Sequence, residues 1–465
     1  MLRYFRINDP YRLIGLLVIA GILFIPAIVA SPAISIPELR SLLIGEKVAQ
    51  GAVPFVGIVD ATGPLTSWIY GFVDLLMGRS IAGRHIVAFL AILSQAIYIG
   101  LVFINRKVFS ENTFVPALIF VIFFAFSYDT IALTGELIGM GFLLLALNNL
   151  FKELEFRTKR DDTVLGLGFF ISLASLSSFD YAIYFLAASV IVILYSRRDL
   201  RVFLLLLTGF SLPHLLLMAI YFLAGQMASL MQYYYSPNLS FGGSALIDAR
   251  SLLYLSFIPA LYLAASLLML NREARFSKYQ SQVFQSMVLW TAFSLVYVLY
   301  AGNLRPQTLI TFAPCLSYFV SQLLLLIRRR RFAEWGLWIF LTGILVISTM
   351  ARYNKIVQID YGGLQISANE NSGVKEKKII VLTDDLSWYV DNTLATPFLD
   401  WRLSEPRFSD LDYYDNVIFI NEGFRKDPPD IIIDPDQHMH EVFERIPHLK
   451  EIYREEKPGQ FKRGD

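Results

Sequence analysis

Apolar runs long enough to cross about 30 Å of hydrocarbon as helix recur from residue 13 to residue 350 and then stop. The pattern predicts about eleven membrane spans, at residues 13–30, 86–104, 114–131, 135–151, 164–178, 181–195, 202–224, 252–270, 283–300, 309–327 and 335–350. One further apolar segment, 63–77, is short for a span. Gly63 and Pro64 open it as a helix start, so it is expected to lie along or dip into the membrane surface. Residues 37–50 read as another helix, with Pro37 and Glu38 in the first turn, where a missing amide costs nothing and a negative charge is favoured. Past residue 350 the pattern changes to strand-like runs at 378–382, 416–420 and 430–433, followed by a helical pattern at 440–453. The chain therefore reads as an α-helical polytopic membrane protein with a C-terminal soluble α/β domain and a parallel sheet. The expected organisation is a transmembrane domain over 1–350 with a large first outer loop (31–83), a linker at 351–375, and a soluble domain at 376–465.

The distribution of basic residues adds orientation, because loops rich in Lys and Arg stay cytoplasmic. One side collects Arg3, Arg6 and Arg12, Arg106 and Lys107, and the basic residues within 152–160, 197–201, 272–278 and 328–331. The other holds Arg250, Arg305 and a few basic residues between 32 and 84. The amino terminus is thus expected in the cytoplasm and the C-terminal domain outside it. A crossing at 63–77 would invert every later loop. Short loops and the lack of targeting motifs suit a multi-pass protein of a bacterial inner membrane with a periplasmic tail.

Composition narrows the chemistry. Of 465 residues, 55% are hydrophobic and only 17% charged, against about 25% in soluble domains, which excludes an ordinary soluble enzyme. Forty Lys and Arg against 39 Asp and Glu leave a formal charge of +1, too little to hold a phosphate backbone, so no nucleic-acid partner is expected. The single cysteine, Cys315, excludes an intramolecular disulfide and a cysteine-based zinc site. GxGxxG, Walker, HExxH and GxSxG patterns are absent.

Ionisable groups near a membrane are costly unless paired or wetted, which makes the outer-face acids informative. They are Glu38, Glu46, Asp60 and Asp74 in the first outer loop, and Asp129 and Glu136 in the next outer turn. Glu38 reads either as a general base or as a charge at a helix amino end. Glu46 lies about 12 Å further along the same helix. Asp60 either orients a substrate or caps the helix that follows it. Glu136 reads as a site acid or as a wetted helix start beside Gly135. Arg305, nearly alone on the outer side, suits a phosphate or carboxylate, or serves as an interfacial anchor. Arg84 and Arg250 are weaker versions of the same idea. His214, after Pro213 in a span, reads as packed and hydrogen-bonded. Asp434, Asp436, His438 and His440 alternate as metal ligands would, but a solvated turn is the preferred reading.

Pro37-Glu38-Leu39 through Gly51, then Val53-Pro54-Phe55, Asp60-Ala61-Thr62-Gly63-Pro64-Leu65, Leu76-Met77-Gly78-Arg79-Ser80 and Arg84, together resemble the GT-C membrane glycosyltransferases, of the protein O-mannosyltransferase and aminoarabinose transferase types. The motif covers about the first 90 residues and the architecture covers the membrane half. The resemblance implies transfer of a sugar from a polyprenyl-phosphate donor to a hydroxyl acceptor, protein or glycan, at the outer leaflet with inversion. It implies membrane lipid and lipid-linked sugar as partners and requires no cofactor or divalent metal. That family usually has Asp-Glu where this chain has Pro37-Glu38, which leaves Glu38 or Asp60 as the base. The second-loop acid falls on Glu136 or Asp129, and Arg305 is expected to share a cavity with Glu38 and to receive charge on the departing phosphate. A non-catalytic membrane scaffold of the same fold is the alternative. A transporter ranks last, for want of an inverted repeat or a midplane charge cluster.

Overall fold

Where the sequence runs apolar, the chain is helical. The computed structural model describes residues 1–29, 33–155, 161–196, 199–240, 245–273, 276–301, 304–366 and 374–464. In order, its helices are α1 (Leu2–Phe5), α2 (Arg12–Val29), α3 (Ile36–Ala49), α4 (Pro64–Met77), α5 (Ile81–Asn105), α6 (Val115–Phe124), α7 (Gly135–Leu154), α8 (Asp161–Ser177), α9 (Ile183–Tyr195) and α10 (Leu200–Leu223). There follow α11 (Met227–Leu230) and α12 (Ser236–Leu239), then α13 (Ala249–Leu255), α14 (Phe257–Glu273), α15 (Lys278–Tyr300), α16 (Ala313–Leu326) and α17 (Arg330–Arg352). Each of the eleven apolar segments coincides with one of these helices or with an adjoining pair.

Six helical stretches among the described residues are individually long and apolar enough to cross a membrane: Ile81–Asn105, Gly135–Leu154, Leu200–Leu223, Lys278–Tyr300, Pro306–Leu326 and Arg330–Arg352. A seventh forms if α13 and α14, bent by 65°, make one broken span. The remaining apolar helices are shorter. In α6 all ten residues are buried, as expected for a helix that is hydrophobic all round and enclosed by protein. The fourteen residues of α4 reach about 21 Å at 1.5 Å per residue, short of a span, and Pro64 sits at its start as the sequence suggests.

Contacts group the chain into two units: Met1–Ser31, Ala82–Leu217 and Phe241–Leu364 form the first, and Pro32–Ile81, Met218–Ser240 and Gln365–Asp465 the second. The second unit thus unites most of the first loop with the C-terminal domain, whereas the sequence pattern suggests a division near residue 350. The linker stretch 367–373 lies outside the described residues.

In the second unit the strands are β1 (Ile34–Ser35), β2 (Gln365–Ile366), β3 (Lys378–Val381), β4 (Thr393–Leu394), β5 (Ile431–Ile433), β6 (Tyr453–Lys457) and β7 (Gln460–Arg463). A five-stranded sheet runs β4-β3-β5-β7-β6. β3 pairs parallel with β4 and β5, as the apolar runs Ile379 to Val381 and Ile431 to Ile433 suggest, while β7 is antiparallel to both β5 and β6. The sheet is therefore mixed rather than parallel. Gly459, at φ +72°, makes the tight β6–β7 turn and leaves no room for a side chain, since a Cβ would lie 2.7 Å from the Asp434 carbonyl.

Four helices complete this unit: α18 (Trp401–Ser409), α19 (Tyr414–Lys426), α20 (His438–Arg445) and α21 (Pro447–Ile452). The expected strand at 416–420 is instead part of α19. Its buried residues Asn416, Ile420, Gly423 and Phe424 follow the 3.6-residue period over a longer window than the short apolar run reveals. The helical pattern at 440–453 is split by Pro447. Within the same unit α3 packs against α4 so closely that a Cβ on Gly71 would lie 2.5 Å from Val48 Cγ1.

Candidate functional site

The second unit brings two distant acids onto one arginine. Val59 and Phe398 form an isolated parallel bridge: the Val59 N–H donates to the Pro397 carbonyl at 2.7 Å, and the Asp400 N–H to the Val59 carbonyl at 3.1 Å. The next residue along the loop strand is Asp60. Arg40, on α3, reaches both carboxylates, with Nη1 3.1 Å from Asp60 Oδ2 and 3.1 Å from Asp400 Oδ2. The hydrogen bond goes to Asp400. Asp60 Oδ1 accepts the Thr62 N–H at 2.7 Å, whereas Asp60 Oδ2, 3% exposed as a residue, accepts no hydrogen bond among the described residues. Asp60 therefore has lone pairs to offer a further donor.

Electrostatics sharpen this picture. Burial pushes the Asp60 carboxyl above the usual range, the Arg40 charge opposes the rise, and the neighbouring Asp400 carboxylate reinforces it. On Arg40, burial disfavours the cation, but Asp60 and Asp400 outweigh that cost and raise its pKa. Arg402 lies 3.9 Å from Asp400 and 4.0 Å from Asp384, and burial raises Asp384 as well. The pair Asp60 and Asp400 thus shares one principal cation, a setting that favours proton uptake by one of the two acids.

Glu38 lies elsewhere on α3. Its Oε2 accepts both the Ser35 N–H and the Ser35 hydroxyl at 2.8 Å, the reciprocal contact of a capping box. Ser35 itself is held by the β1–β2 pairing with Gln365. The helix-end reading of Glu38 is thus present in the geometry. Asp60 precedes α4, but its N–H partner is Thr62, and it does not cap the helix that begins at Pro64. Glu46 lies 3.6 Å from Arg79, and burial raises its pKa. Lys47 pairs with Asp427, which also takes Lys378 Nζ at 3.0 Å. That ion pair ties α3 to the α/β sheet.

The first unit holds a separate cluster. Arg305 pairs with Glu136, which corrects the expectation of an isolated arginine. Glu136 is buried, not a wetted helix start, because the 3-10 helix Pro306–Phe312 packs beside α7 and brings Arg305 onto it. The Tyr181 hydroxyl donates to the Glu136 carbonyl at 3.0 Å. Asp129 accepts the Ser127 hydroxyl and, at 2.6 Å, Gln307 Nε2. Arg84 is buried rather than lipid-facing. Glu38 and Arg305, expected to share a cavity, fall in different units. His214 Nε2 lies 2.8 Å from the Ser175 hydroxyl, packed and hydrogen-bonded. Asp434 accepts the His438 and Met439 N–H groups at 3.0 and 2.7 Å and is buried, so it holds the start of α20, which carries His438 and His440, in place of the expected solvated turn.

Sequence reasoning did not single out Arg40 and Asp400. Arg40 carried a weak signal, as the only basic residue in the first ten positions of a mostly apolar helix. Asp400 stands between Leu399 and Trp401, an acid in an apolar run with no solvent-side pattern to explain it.

A family model described as "Family of unknown function (DUF6427)" matches residues 66–357. No curated protein matches the sequence. Among solved structures the chain is similar to ArnT from Cupriavidus metallidurans bound to undecaprenyl phosphate, with 13% identity, TM-score 0.48, and coverage of 74% of this chain and 73% of that one. It is also similar to the apo state of the same ArnT, at 11% identity and TM-score 0.49 over 74% and 72%. A third likeness is to the Archaeoglobus fulgidus oligosaccharyltransferase in its apo form, at 11% identity and TM-score 0.43 over 75% and 56%. All three scores lie below 0.5, so the case for function rests on this chain's own residues.

Proposed function

The chain belongs to the family of unknown function DUF6427, and for it we propose a membrane glycosyltransferase of the GT-C type, using a polyprenyl-phosphate sugar as donor and a hydroxyl as acceptor. The observation that carries this reading is Asp60: a buried carboxylate whose Oδ2 is ion-paired with Arg40 but accepts no hydrogen bond among the described residues, balanced between that arginine and a second acid. In the proposed step the acceptor hydroxyl gives its proton to Asp60 Oδ2 as its oxygen bonds to the anomeric carbon. The bond from that carbon to the phosphate oxygen breaks on the opposite face, the electron pair leaves with the polyprenyl phosphate, and the configuration inverts. One carboxylate suffices as base because a phosphate leaving group needs no proton, only a cation.

Two features support a lipid-borne donor. The motif over the first 90 residues resembles that of the GT-C glycosyltransferases. In addition, α4, packed on the helix that carries Arg40, exposes Trp68, Phe72, Leu75 and Leu76. Their spacing forms one apolar stripe, the form of a helix that lies in a membrane interface.

The proposal places the amino terminus in the cytoplasm and the tail outside it, in a bacterial inner membrane. Alkaline phosphatase fused after Met350 is expected to be active and the same fusion after Arg331 inactive; the reverse pattern contradicts the orientation. The activity itself is tested by incubating membranes with radiolabelled polyprenyl-phosphate sugars and following label into protein and glycan fractions. Glu38 in its capping box favours the second reading, a non-catalytic scaffold, because it commits the first loop's leading acid to structure. That reading takes over if the wild-type chain transfers no label.

A further inference from the structure

At the opposite extreme of the chain from Asp400, the amino terminus is built into the first unit. The Met1 amino group pairs with Glu334, and the Leu2 N–H lies 3.1 Å from both oxygens of the same carboxylate. The Phe5 carbonyl takes the Phe114 N–H at 2.9 Å and the Thr113 hydroxyl at 3.0 Å, and Leu2 and Phe5 are buried. These contacts hold α1 against the start of α17 and border a partly open cavity of about 180 Å³ lined by Leu2, Arg3, Arg6, Ile7, Arg330, Ala333 and Glu334.

The charges around this cavity do not cancel. Glu334 answers the Met1 amino group, and Glu111 answers Arg6 through two bonds of 2.6 Å. That leaves Arg3 and Arg330, neither of which has a carboxylate within 4 Å among the described residues, although Glu111 also lies near enough to feel the Arg330 charge. Leu2, Ile7 and Ala333 make the apolar part of the lining, which Glu334 and Arg6 share. On the adjoining turns of α17, Phe332, Trp335 and Trp338 are exposed, the arrangement of aromatic side chains at the edge of a bilayer. A cationic rim, an apolar floor and an interfacial aromatic girdle match one class of ligand: a phosphate attached to a lipid.

We infer that this cavity binds the headgroup phosphodiester of an anionic glycerophospholipid, held between Arg3 and Arg330. The amino-terminal helix is then a clamp that presents Arg3 across from α17, and the pinning of Met1 by Glu334 is what sets the gap. The site is independent of the proposed sugar transfer, and its ligand is shared chemically with free phosphate.

Native mass spectrometry of the full chain, delipidated in detergent and titrated with phosphatidylglycerol, phosphatidylcholine or inorganic phosphate, separates these sources. The wild type is expected to retain phosphatidylglycerol in preference to phosphatidylcholine, with inorganic phosphate a poor competitor. Each basic residue at a membrane surface contributes about 1 kcal/mol, so Arg3→Gln with Arg330→Gln should weaken retention by roughly 30-fold. Arg3→Lys with Arg330→Lys should restore most of it, and Arg331→Gln, outside the cavity lining, should leave it unchanged. Equal retention of the two lipids, an unaffected double glutamine variant, or an equal loss in Arg331→Gln overturns the site. Full displacement by millimolar phosphate overturns the lipid assignment.

Discussion

Asn in place of Asp60 is expected to lower sugar transfer by about 10²- to 10⁴-fold, the usual cost of removing a general base. The fold should survive the change. Arg40 keeps Asp400 as its hydrogen-bonded partner, the Thr62 N–H still finds an oxygen at position 60, and one of two acids around a single arginine is lost rather than the arginine itself. Glu38→Gln is the matched comparison. Glutamine serves at the third position of a capping box as glutamate does, so that variant should transfer at close to the wild-type rate. Initial rates normalised to intact protein in membranes check both. A Glu38→Gln variant that loses as much activity as Asp60→Asn would return the base to Glu38.

The second large effect concerns stability. Arg305→Ala leaves Glu136 buried beside Asp180 without its cation, and breaking a buried pair from one side costs about 3–5 kcal/mol. Replacing both members, Arg305→Met with Glu136→Gln, removes the uncompensated charge and should recover much of that loss. Thermal unfolding of the purified chain in detergent measures the cycle. Destabilisation that is simply additive in the double variant would mean that the two residues do not couple.

The helices were legible because hydrophobic periodicity over a dozen or more residues has few alternatives. The fourteen-residue α4, with Pro at its first position, is the clearest instance. Shorter signals misled. Residues 416–420, Asn-Val-Ile-Phe-Ile, look like a strand, and only the wider spacing of Asn416, Ile420, Gly423 and Phe424 reveals the helix. Asp60 was visible from its loop, but its environment was not. Arg40 and Asp400 are 360 residues apart in sequence, and the bridge that aligns them, Val59 with Phe398, involves one residue from each side and no periodic pattern. Arg305 looked solitary for the same reason: its partner Glu136 is 169 residues away.

The central claim, that Asp60 is the base and that Arg40 and Asp400 tune it, makes opposite predictions for two variants. Asp400 raises the Asp60 pKa and Arg40 lowers it, on top of the rise from burial. A base must be deprotonated to act, so transfer should fall on the acid side as pH drops through that raised value. Asp400→Asn removes a negative neighbour and moves this acid limb to lower pH. Arg40→Gln removes the positive one and moves it to higher pH. The other charged groups near the pair, Asp384 and Arg402, stay constant across the set. The midpoint of a limb does not depend on how much protein folds, so partial destabilisation of either variant leaves the comparison intact. The decisive measurement is therefore the pH profile of transfer from a polyprenyl-phosphate sugar for the wild type, Asp400→Asn and Arg40→Gln. The account predicts limbs displaced to either side of the wild type; three coincident limbs, or a wild type that transfers nothing at any pH, would contradict it.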